Sequence, residues 1–219
     1  MSRQGFFITF EGGEGSGKTT QIQYLKEWLA VHVPSQDLVI TREPGGVTAA
    51  ELIRGLLVNG EADKWRPVTE AMLVSAARHE HVEDIIRPAL EQNKIVISDR
   101  FVDSTHVYQG VVGGVANADI AAMTRIACGT IQPDLTIILD LDSQIGLSRA
   151  ASRGVGEDRF ETKGNAFHEN VRNGFINLAK ANPERCVLID ADRAAEQIAD
   201  EIVAVVSQRL LSNGMAMDD

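Results

Sequence analysis

Short apolar runs and helical repeats alternate along the whole chain. The apolar runs are rich in β-branched and aromatic residues, and they fall at Phe6–Phe10, Leu38–Thr41, Ile95–Ser98, Leu135–Leu141 and Val187–Ile189. Because they are nearly continuous in apolarity, they predict five strands that are covered on both faces. Helical patterns lie between them, at Gly17–Val33, Ala49–Leu57, Val68–Gln92, Ala118–Cys128, Ser143–Arg153, Ala166–Ala181 and Ala194–Leu211. This alternation predicts an α/β fold, a three-layer sandwich with a five-stranded parallel sheet flanked by helices.

The first apolar run leads directly into a glycine-rich loop. The pattern G-x-x-x-x-G-K-[ST] falls on Gly12, Gly13, Glu14, Gly15, Ser16, Gly17, Lys18 and Thr19. Glycines permit positive φ angles, so successive N–H groups can turn toward phosphate oxygens at the start of a helix. Because the loop stands between a strand and a helix, as the motif requires, it predicts a P-loop NTPase-type fold that binds ATP.

Polar residues in and beside this loop are candidates for phosphate and metal binding. We expect Lys18 to place its charge between the β- and γ-phosphates, and the Thr19 hydroxyl to be an oxygen ligand of Mg²⁺. Asp99 directly follows a hydrophobic strand, as a Walker B acid does, and is the second metal candidate. Arg100 stays charged at physiological pH and suits a second anion, although a salt bridge to a neighbouring acid remains an alternative.

Length and composition narrow the class of protein. The 219 residues are enough for a single α/β domain over 1–219. A net charge of −10 argues against a general affinity for nucleic acid or an anionic membrane. Cys128 and Cys186 are far apart without C-x-x-C spacing, and no apolar stretch approaches the length of a membrane span. We therefore expect a cytoplasmic protein.

Several motifs together resemble the bacterial thymidylate kinase family. They are Glu11–Thr20 (EGGEGSGKTT), Thr41–Gly46 (TREPGG), Asp99-Arg100-Phe101 followed by Ser104, Tyr108, Gln109 and Gly110, Pro133–Thr136 (PDLT) and Leu139-Asp140. The match covers nearly the whole chain and is far more specific than the P-loop alone. The resemblance implies phosphoryl transfer from ATP to thymidine monophosphate (dTMP), with Mg²⁺ and a homodimer, and it extends the ATP-binding set to Thr20.

The same resemblance assigns acceptor-binding roles to residues outside the ATP site. It implies that Glu14 meets the 3′-hydroxyl of the sugar, that Arg100 binds the acceptor phosphate, and that Tyr108 crowds the 2′ carbon and so selects deoxyribose. Arg78 matches an arginine that hydrogen-bonds the base. Further matching positions are Ser104 and Thr105 near the pyrimidine edge, and Gln109.

At two positions this chain departs from the family pattern. Where the family usually carries a phenylalanine that stacks on thymine, this chain has Val74, which leaves open a kinase for another nucleoside monophosphate. Some members carry an arginine after the P-loop acid, but Gly15 stands there, so we expect a mobile lid at about 149–161 to supply one. Arg153 is the first candidate and Arg159 and Arg149 follow, with a solvated basic face as the alternative.

Several other residues and segments have simpler interpretations. Arg54 either assists the acceptor phosphate or is an exposed helical arginine. His79 and His81 are two apart on a predicted helix, so they make a poor metal pair and are expected on the surface. A GTP-dependent switch would need an N-K-x-D segment, which Asn93–Val96 does not complete. A nucleotide-binding regulator without turnover would not require acceptor residues together with lid arginines.

Overall fold

A computed structural model describes residues 5–33, 37–61, 63–152 and 163–215 of the chain. Five strands form one parallel sheet in the order β2-β3-β1-β4-β5. Their bounds are β1 Phe6–Gly12, β2 Leu38–Arg42, β3 Ile95–Asp99, β4 Leu135–Asp140 and β5 Cys186–Asp190. The predicted five-stranded parallel sheet is therefore confirmed, and β1, which precedes the glycine-rich loop, is its central strand.

The helices lie on both faces of this sheet. In chain order they are α1 Lys18–His32, α2 Thr48–Val58, α3 Pro67–His81, α4 Arg87–Glu91, α5 Val102–Thr105, α6 Asn117–Cys128, α7 Ser143–Ser152, α8 Asn165–Ala181 and α9 Ala195–Ser212. Two π-helical segments, Val82–Ile86 and His106–Val112, join α3 to α4 and extend α5. Among the described residues, none of these helices combines the length and the apolarity that crossing a membrane requires.

Alternate side chains of β1 belong to different hydrophobic clusters, which explains the three layers. Phe6, Ile8 and Phe10 pack with apolar residues of α1 and α9. Phe7 packs in another cluster, formed chiefly by the segment from Val82 to Leu90 and by α6. Since successive side chains of a strand point to opposite faces, a strand that is apolar throughout requires cover on both sides.

Two stretches differ from the helical pattern of the sequence. The single helix expected over Val68–Gln92 contains a π-helical segment just before Pro88, a residue that has no N–H for the regular i→i−4 hydrogen bond. Residues 102–112, for which the pattern predicts no helix, form α5 and the second π-helical segment. This second stretch carries several candidate site residues, so its irregular helix bears directly on the site.

Candidate active site

The glycine-rich loop leaves β1 and passes directly into α1. Gly15 and Gly17 have φ of 67° and 95°, and Gly17 is the N-cap of α1. A Cβ atom on Gly15 would overlap the carbonyl oxygen of Gly146 on α7, so the loop has no room for a side chain there. The close approach of α7 therefore leaves no room for an arginine at this position.

Lys18 is buried at the base of the loop. Its Nζ donates to the carbonyl oxygens of Gly12 at 3.3 Å and Gly13 at 3.1 Å. Burial and the nearby Arg100 lower the pKa of the Lys18 ammonium, although neighbouring carboxylates oppose the shift. Lys18 is thus held against the loop, beside the N-terminus of α1, where an anion is favoured.

Thr19 and Asp99 meet beside the loop because β1 and β3 are neighbours in the sheet. Phe10 pairs with Asp99 across the two strands, and Thr19 Oγ1 donates to Asp99 Oδ2 at 3.4 Å. A hydroxyl and a carboxylate are hard oxygen donors of the kind Mg²⁺ prefers. In the described part of the chain there is no cluster of three or more His, Cys, Asp or Glu side chains grouped for a metal ion.

An open cavity lies over this loop and is called here the loop cavity. It encloses about 570 Å³, counting the space at its mouth. Four basic side chains contribute to its wall, and the complete lining is Glu14, Gly15, Ser16, Gly17, Lys18, Thr19, Arg42, Glu43, Arg54, Asp99 and Arg100. Of these, Arg54 also donates from Nη1 to the Pro44 carbonyl oxygen at 2.7 Å. The loop cavity is suited to a polyanion such as a nucleotide phosphate chain.

A second cavity, called here the inner cavity, opens beside the first and is mostly apolar. Its empty space is about 520 Å³, counting the space at its mouth, and it is lined by Glu14, Glu43, Pro44, Leu57, Val58, Val74, Arg78, Arg100, Phe101, Ser104, Thr105, Tyr108 and Gln109. All nine acceptor-site candidates except Arg54 are among these residues. Apolar walls with a few convergent polar groups are typical of small-molecule sites.

Glu14 and Arg100 stand at the junction of the two cavities. Arg100 Nη2 donates to Glu14 Oε1 at 2.8 Å, and Arg100 Nη1 donates to the Gly12 carbonyl oxygen and to Ser104 Oγ. The Arg100 guanidinium also lies over the Tyr108 ring, 5.2 Å from its centroid, and the Tyr108 hydroxyl donates to Glu14. Arg100 thus forms the salt bridge given above as its alternative interpretation, and it also lines both cavities, so its binding of a second anion stays a prediction.

Charges at the junction shift the pKa values of its groups. Burial works against the charged form of Glu14, but Arg100 and Lys18 outweigh it and lower the pKa of the Glu14 carboxyl. Burial likewise opposes the charged form of Arg100, yet Tyr108, Glu14 and Asp99 raise its pKa. Glu14 is therefore a carboxylate acceptor and Arg100 a permanent cation at neutral pH. Arg100 has φ of 70°, a rarely populated conformation for a residue with a side chain.

Two buried polar atoms, each on a residue of the inner cavity wall, have no hydrogen-bond partner among the described residues. They are Nη1 of Arg78 and Oγ1 of Thr105. An unsatisfied buried donor costs about 1–3 kcal/mol. Each atom can therefore form a further hydrogen bond with a ligand that reaches it.

Arg78 is held from behind by two acceptors. Its Nε donates to Glu43 Oε2 at 2.7 Å, and its Nη2 donates to the Phe101 carbonyl oxygen at 3.0 Å. Burial lowers the stability of the guanidinium charge, but the Glu43 carboxylate outweighs it and raises the pKa of Arg78. The guanidinium carbon also lies 5.3 Å from the centre of the Phe101 ring.

The surface position expected for His81 is wrong, whereas His79 is exposed as expected. The side chain of His81 is fully buried, and its two ring nitrogens lie within hydrogen-bond distance of Glu43 and Thr41. The reason is tertiary, because β2 and the loop after it supply polar partners that the local sequence of the helix does not reveal.

The remaining candidate residues lie in different parts of the chain. Gln109 is buried and its Nε2 donates to Glu70 Oε1 at 2.7 Å. Thr20 is exposed on the first turn of α1. Arg149 on α7 lies against the loop after β5, 3.4 Å from the Ala191 carbonyl oxygen and 3.7 Å from Asp192. Arg153 and Arg159 lie outside the described residues.

The sequence patterns assign no role to some residues of the cavity walls. The polar ones are Arg42 and Glu43, and the apolar ones are Pro44, Leu57, Val58 and Phe101. The motif Thr41–Gly46 carried the resemblance without assigning roles to its members. Leu57 and Val58 have no comparable signal, because an apolar residue at a helix end looks like part of the core.

Comparison with known proteins agrees with this description. A sequence model of the thymidylate kinase family matches residues 10–202. The thymidylate kinase of Caulobacter vibrioides is 51% identical over 207 residues, which cover 94% of this chain and 98% of that protein. The thymidylate kinase of Nitrobacter winogradskyi is 46% identical over 213 residues, covering 96% and 92%. The crystal structure of thymidylate kinase from Ehrlichia chaffeensis superposes with a TM-score of 0.75 at 36% identity, covering 92% of this chain and 98% of that one.

A P-loop at the end of a central parallel strand, next to a second ligand-sized cavity, defines a P-loop phosphotransferase with a small-molecule acceptor. The two cavities share Glu14, Glu43 and Arg100 in their walls. The chain belongs to the thymidylate kinase family.

Proposed function

We propose that this protein transfers the γ-phosphoryl group of ATP to dTMP and releases dTDP and ADP, a step in the supply of dTTP. The observation that carries the proposal is the junction of the loop cavity and the inner cavity at Glu14 and Arg100. Phosphoryl transfer needs the attacking and leaving oxygens in line, with charge stabilisation between them. Two adjoining cavities that share Glu14, Glu43 and Arg100 support such an arrangement.

We assign the loop cavity to the phosphates of ATP. The loop from Gly12 to Thr19 would contribute backbone N–H groups and Lys18 a cation, with Arg149 of α7 closing on the nucleotide. Thr19 and Asp99 fit a Mg²⁺ ion, because their oxygens are 3.4 Å apart and leave the remaining positions to phosphates and water. When bound, such an ion neutralises charge that develops on the phosphate oxygens.

We assign the inner cavity to dTMP. Arg100 would bind the acceptor phosphate, assisted by Arg54, and Glu14 would accept from the 3′-hydroxyl group. Tyr108, whose ring is fixed between Arg100 and Glu14, would leave no room for a 2′-hydroxyl. Deoxyribose would be selected by this contact.

Polar atoms in the inner cavity also favour a 4-oxo pyrimidine. The guanidinium of Arg78 has donors only, so its Nη1, which has no partner among the described residues, would match the 4-carbonyl oxygen of thymine and oppose the 4-amino group of cytosine. Thr105, Ser104 and Gln109 add further polar groups along the same wall, and Val74 packs on an apolar side.

We propose that the chain forms one domain over 1–219 with a mobile lid at about 149–161. Its arginines would supply the charge that the P-loop lacks, since Gly15 has no room for a side chain. Arg153 is the first candidate and Arg159 the second. Together with Lys18 and Arg100, the lid arginine would stabilise the charge on the transferred phosphoryl group.

An apolar patch on three adjacent helices supports a homodimer. Large apolar side chains are exposed on α2, α3 and α6, helices that pack side by side: Leu52, Leu56, Val68, Met72 and Ile126. Burying such a patch against a second copy removes it from water. Light scattering after gel filtration should give a dimer for the wild type and a monomer for Met72→Glu. The control Leu211→Glu, on the opposite layer of the sheet, should remain dimeric.

The cytoplasm is the proposed location, because ATP and deoxynucleotides are found there. The two cysteines, Cys128 and Cys186, are buried and free, as is usual in a reducing compartment.

A coupled assay of ADP release tests the substrate and the lid arginine together. ATP and Mg²⁺ are offered with the monophosphates of thymidine, deoxyuridine, deoxycytidine, uridine and adenosine, each separately. We expect dTMP to give the highest kcat/KM, and Arg153→Ala to lower kcat by about a thousandfold with little change in the KM for dTMP. Lys180→Ala, which removes an exposed cation from α8, is the matched control and should be unchanged. Preference for another monophosphate would overturn the assignment of the acceptor.

A further inference from the structure

The fully buried histidine at the end of α3 has no part in the reaction proposed above. His81 lies one turn after Arg78, with Nδ1 at 2.9 Å from Glu43 Oε1 and Nε2 at 2.6 Å from Thr41 Oγ1. The Glu43 carboxylate can only accept, so Nδ1 of His81 carries the proton and donates it to this hydrogen bond. In the neutral ring, Nε2 then accepts from the Thr41 hydroxyl. Every polar atom of the imidazole is therefore satisfied in the interior.

The two oxygens of Glu43 are divided between His81 and Arg78. Oε1 accepts from His81 Nδ1, and Oε2 accepts from Arg78 Nε at 2.7 Å. Rotation of the carboxylate about its last bond would break both hydrogen bonds at once. The exposed fractions of the three side chains are 0% for His81, 2% for Glu43 and 1% for Arg78, so water does not compete for these partners.

The orientation of Arg78 follows from that of Glu43. The guanidinium is planar, and Nε is fixed by Glu43 while Nη2 is fixed by the Phe101 carbonyl oxygen. Its remaining nitrogen, Nη1, is the buried donor without a partner among the described residues. Since two nitrogens of a rigid group are fixed, the position of the third is fixed as well.

His81 also contacts the loop that carries Glu43. Gly46 has φ of 93°, and a Cβ atom built on it would lie 2.7 Å from Cδ2 of the His81 ring. The ring therefore packs tightly on the loop while it holds Glu43 by a hydrogen bond. Glu43 and Pro44 of this loop are both part of the inner cavity wall.

We propose that His81 is a positioning residue for base recognition: through Glu43 it fixes Arg78, and thereby the preference for a 4-oxo over a 4-amino pyrimidine. This inference rests on the proposed function, since it takes a pyrimidine as the group beside Arg78. His81 touches neither substrate. It acts by keeping the donor of Arg78 where the 4-carbonyl oxygen would lie.

Three substitutions of His81 test its two hydrogen bonds separately. Asn places an amide nitrogen close to the position of Nδ1 and keeps the donor toward Glu43. Gln places its amide near the position of Nε2 and loses that donor, and Leu loses both hydrogen bonds at similar size. His79→Asn, at an exposed position on the same helix, is the matched control.

The kinetic readout is the KM for dTMP, the KM for ATP, kcat, and the ratio of kcat/KM for dTMP to that for dCMP. Loss of a hydrogen bond to a charged group corresponds to about a tenfold effect or more. We expect His81→Leu and His81→Gln to raise the KM for dTMP about tenfold and to lower the dTMP to dCMP ratio about tenfold. The KM for ATP and kcat should stay within about twofold. His81→Asn and His79→Asn should remain within about threefold of the wild type in every quantity.

A second readout does not depend on activity. Hydrogen exchange at Nε–H of Arg78, followed by ¹⁵N NMR and assigned by its loss in Arg78→Lys, reports the hydrogen bond to Glu43 directly. We expect fast exchange in the Leu and Gln variants and slow exchange in the wild type and the Asn variant. If the Leu variant does not fold, the Asn and Gln pair supplies the comparison.

The outcomes distinguish the two proposals. If the wild type does not phosphorylate dTMP but exchange follows the expected order, the proposed function fails and the positioning of Arg78 stands. If exchange in the Gln and Leu variants equals that of the wild type, the inference is overturned. It is also overturned if these variants leave the dTMP to dCMP ratio unchanged in an active enzyme.

Discussion

Replacement of Arg185 by methionine is expected to lower the free energy of unfolding by about 3 kcal/mol. Its partner Asp103 lies on α5, one residue before Ser104, and its side chain is only 4% exposed. Arg185 donates from Nη1 to Asp103 Oδ2 at 2.7 Å and from Nη2 to Oδ1 at 2.8 Å. Removing one member of a buried ion pair costs about 3–5 kcal/mol, because the other charge is left uncompensated. We take the lower end of this range, since Thr136 Oγ1 still donates to Asp103.

The assay is urea unfolding at pH 7 with the wild type, Arg185→Met, Asp103→Asn and the double variant. The double variant should recover much of the loss, because an amide leaves no charge in the interior, and the coupling energy should be at least about 2 kcal/mol. In thermal unfolding, the Arg185→Met change corresponds to about 6–12 °C in Tm for a chain of this size. The control Lys180→Met should stay within about 0.5 kcal/mol. A loss below about 1 kcal/mol for Arg185→Met, or additive single effects, would refute the reasoning.

Three further predictions concern other buried or half-buried groups. Burial, followed by the charge of Asp103, raises the pKa of the Glu11 carboxyl from 4.5 to about 7. Between these pH values the folded protein holds a proton that the unfolded chain has released, so the free energy of unfolding falls by up to about 3 kcal/mol as the pH rises through this window. Urea unfolding at pH 5 and pH 8 should show this loss for the wild type relative to Glu11→Gln. Parallel pH dependences of the two proteins would contradict it. Val74 lines the inner cavity, and Val74→Phe would add an aromatic face for the base. The KM for dTMP should fall about fivefold, which corresponds to about 1 kcal/mol. An unchanged or raised KM in the steady-state assay would count against that geometry. Burial raises the pKa of the Cys128 and Cys186 thiols to about 12, so Ellman's reagent should react with the native protein far more slowly than with the urea-unfolded chain, and equal rates would exclude the packing described.

The sheet and the phosphate loop could be predicted because their signals are local. Each strand is a short apolar run, and the loop from Gly12 to Thr19 combines glycine conformations with a lysine at fixed spacing. Even here the apolar run Phe6–Phe10 predicts too early an end for β1, which continues to Gly12. Glu11 interrupts the apolar run, yet β1 continues through it. The Glu11 side chain can be buried there because its carboxyl oxygen accepts from the N–H groups of Phe101 and Ser104.

The support behind the base-binding arginine could not be predicted in this way. The family resemblance indicates Arg78, but Glu43 and Thr41 come from β2 and the loop after it, 35 and 40 residues from their partners on α3. A histidine on a helix carries no local sign of such contacts. Only the packing of α3 against the end of β2 makes His81 a buried residue.

The irregular helix over residues 102–112 was missed for a related reason. Its sequence holds polar residues that face the inner cavity, so it lacks the apolar repeat by which a helix is recognised. Side chains selected for a ligand replace those that would mark the element.

The most direct test of the central claim is identification of the products. ATP, Mg²⁺ and dTMP are incubated with the wild-type protein, the nucleotides are separated by ion-pair chromatography, and a parallel reaction omits dTMP. Direct transfer at the junction of the two cavities predicts dTDP and ADP in equal amounts, and no ADP without dTMP. ADP formed at the same rate without dTMP, or without an equal amount of dTDP, would contradict the account.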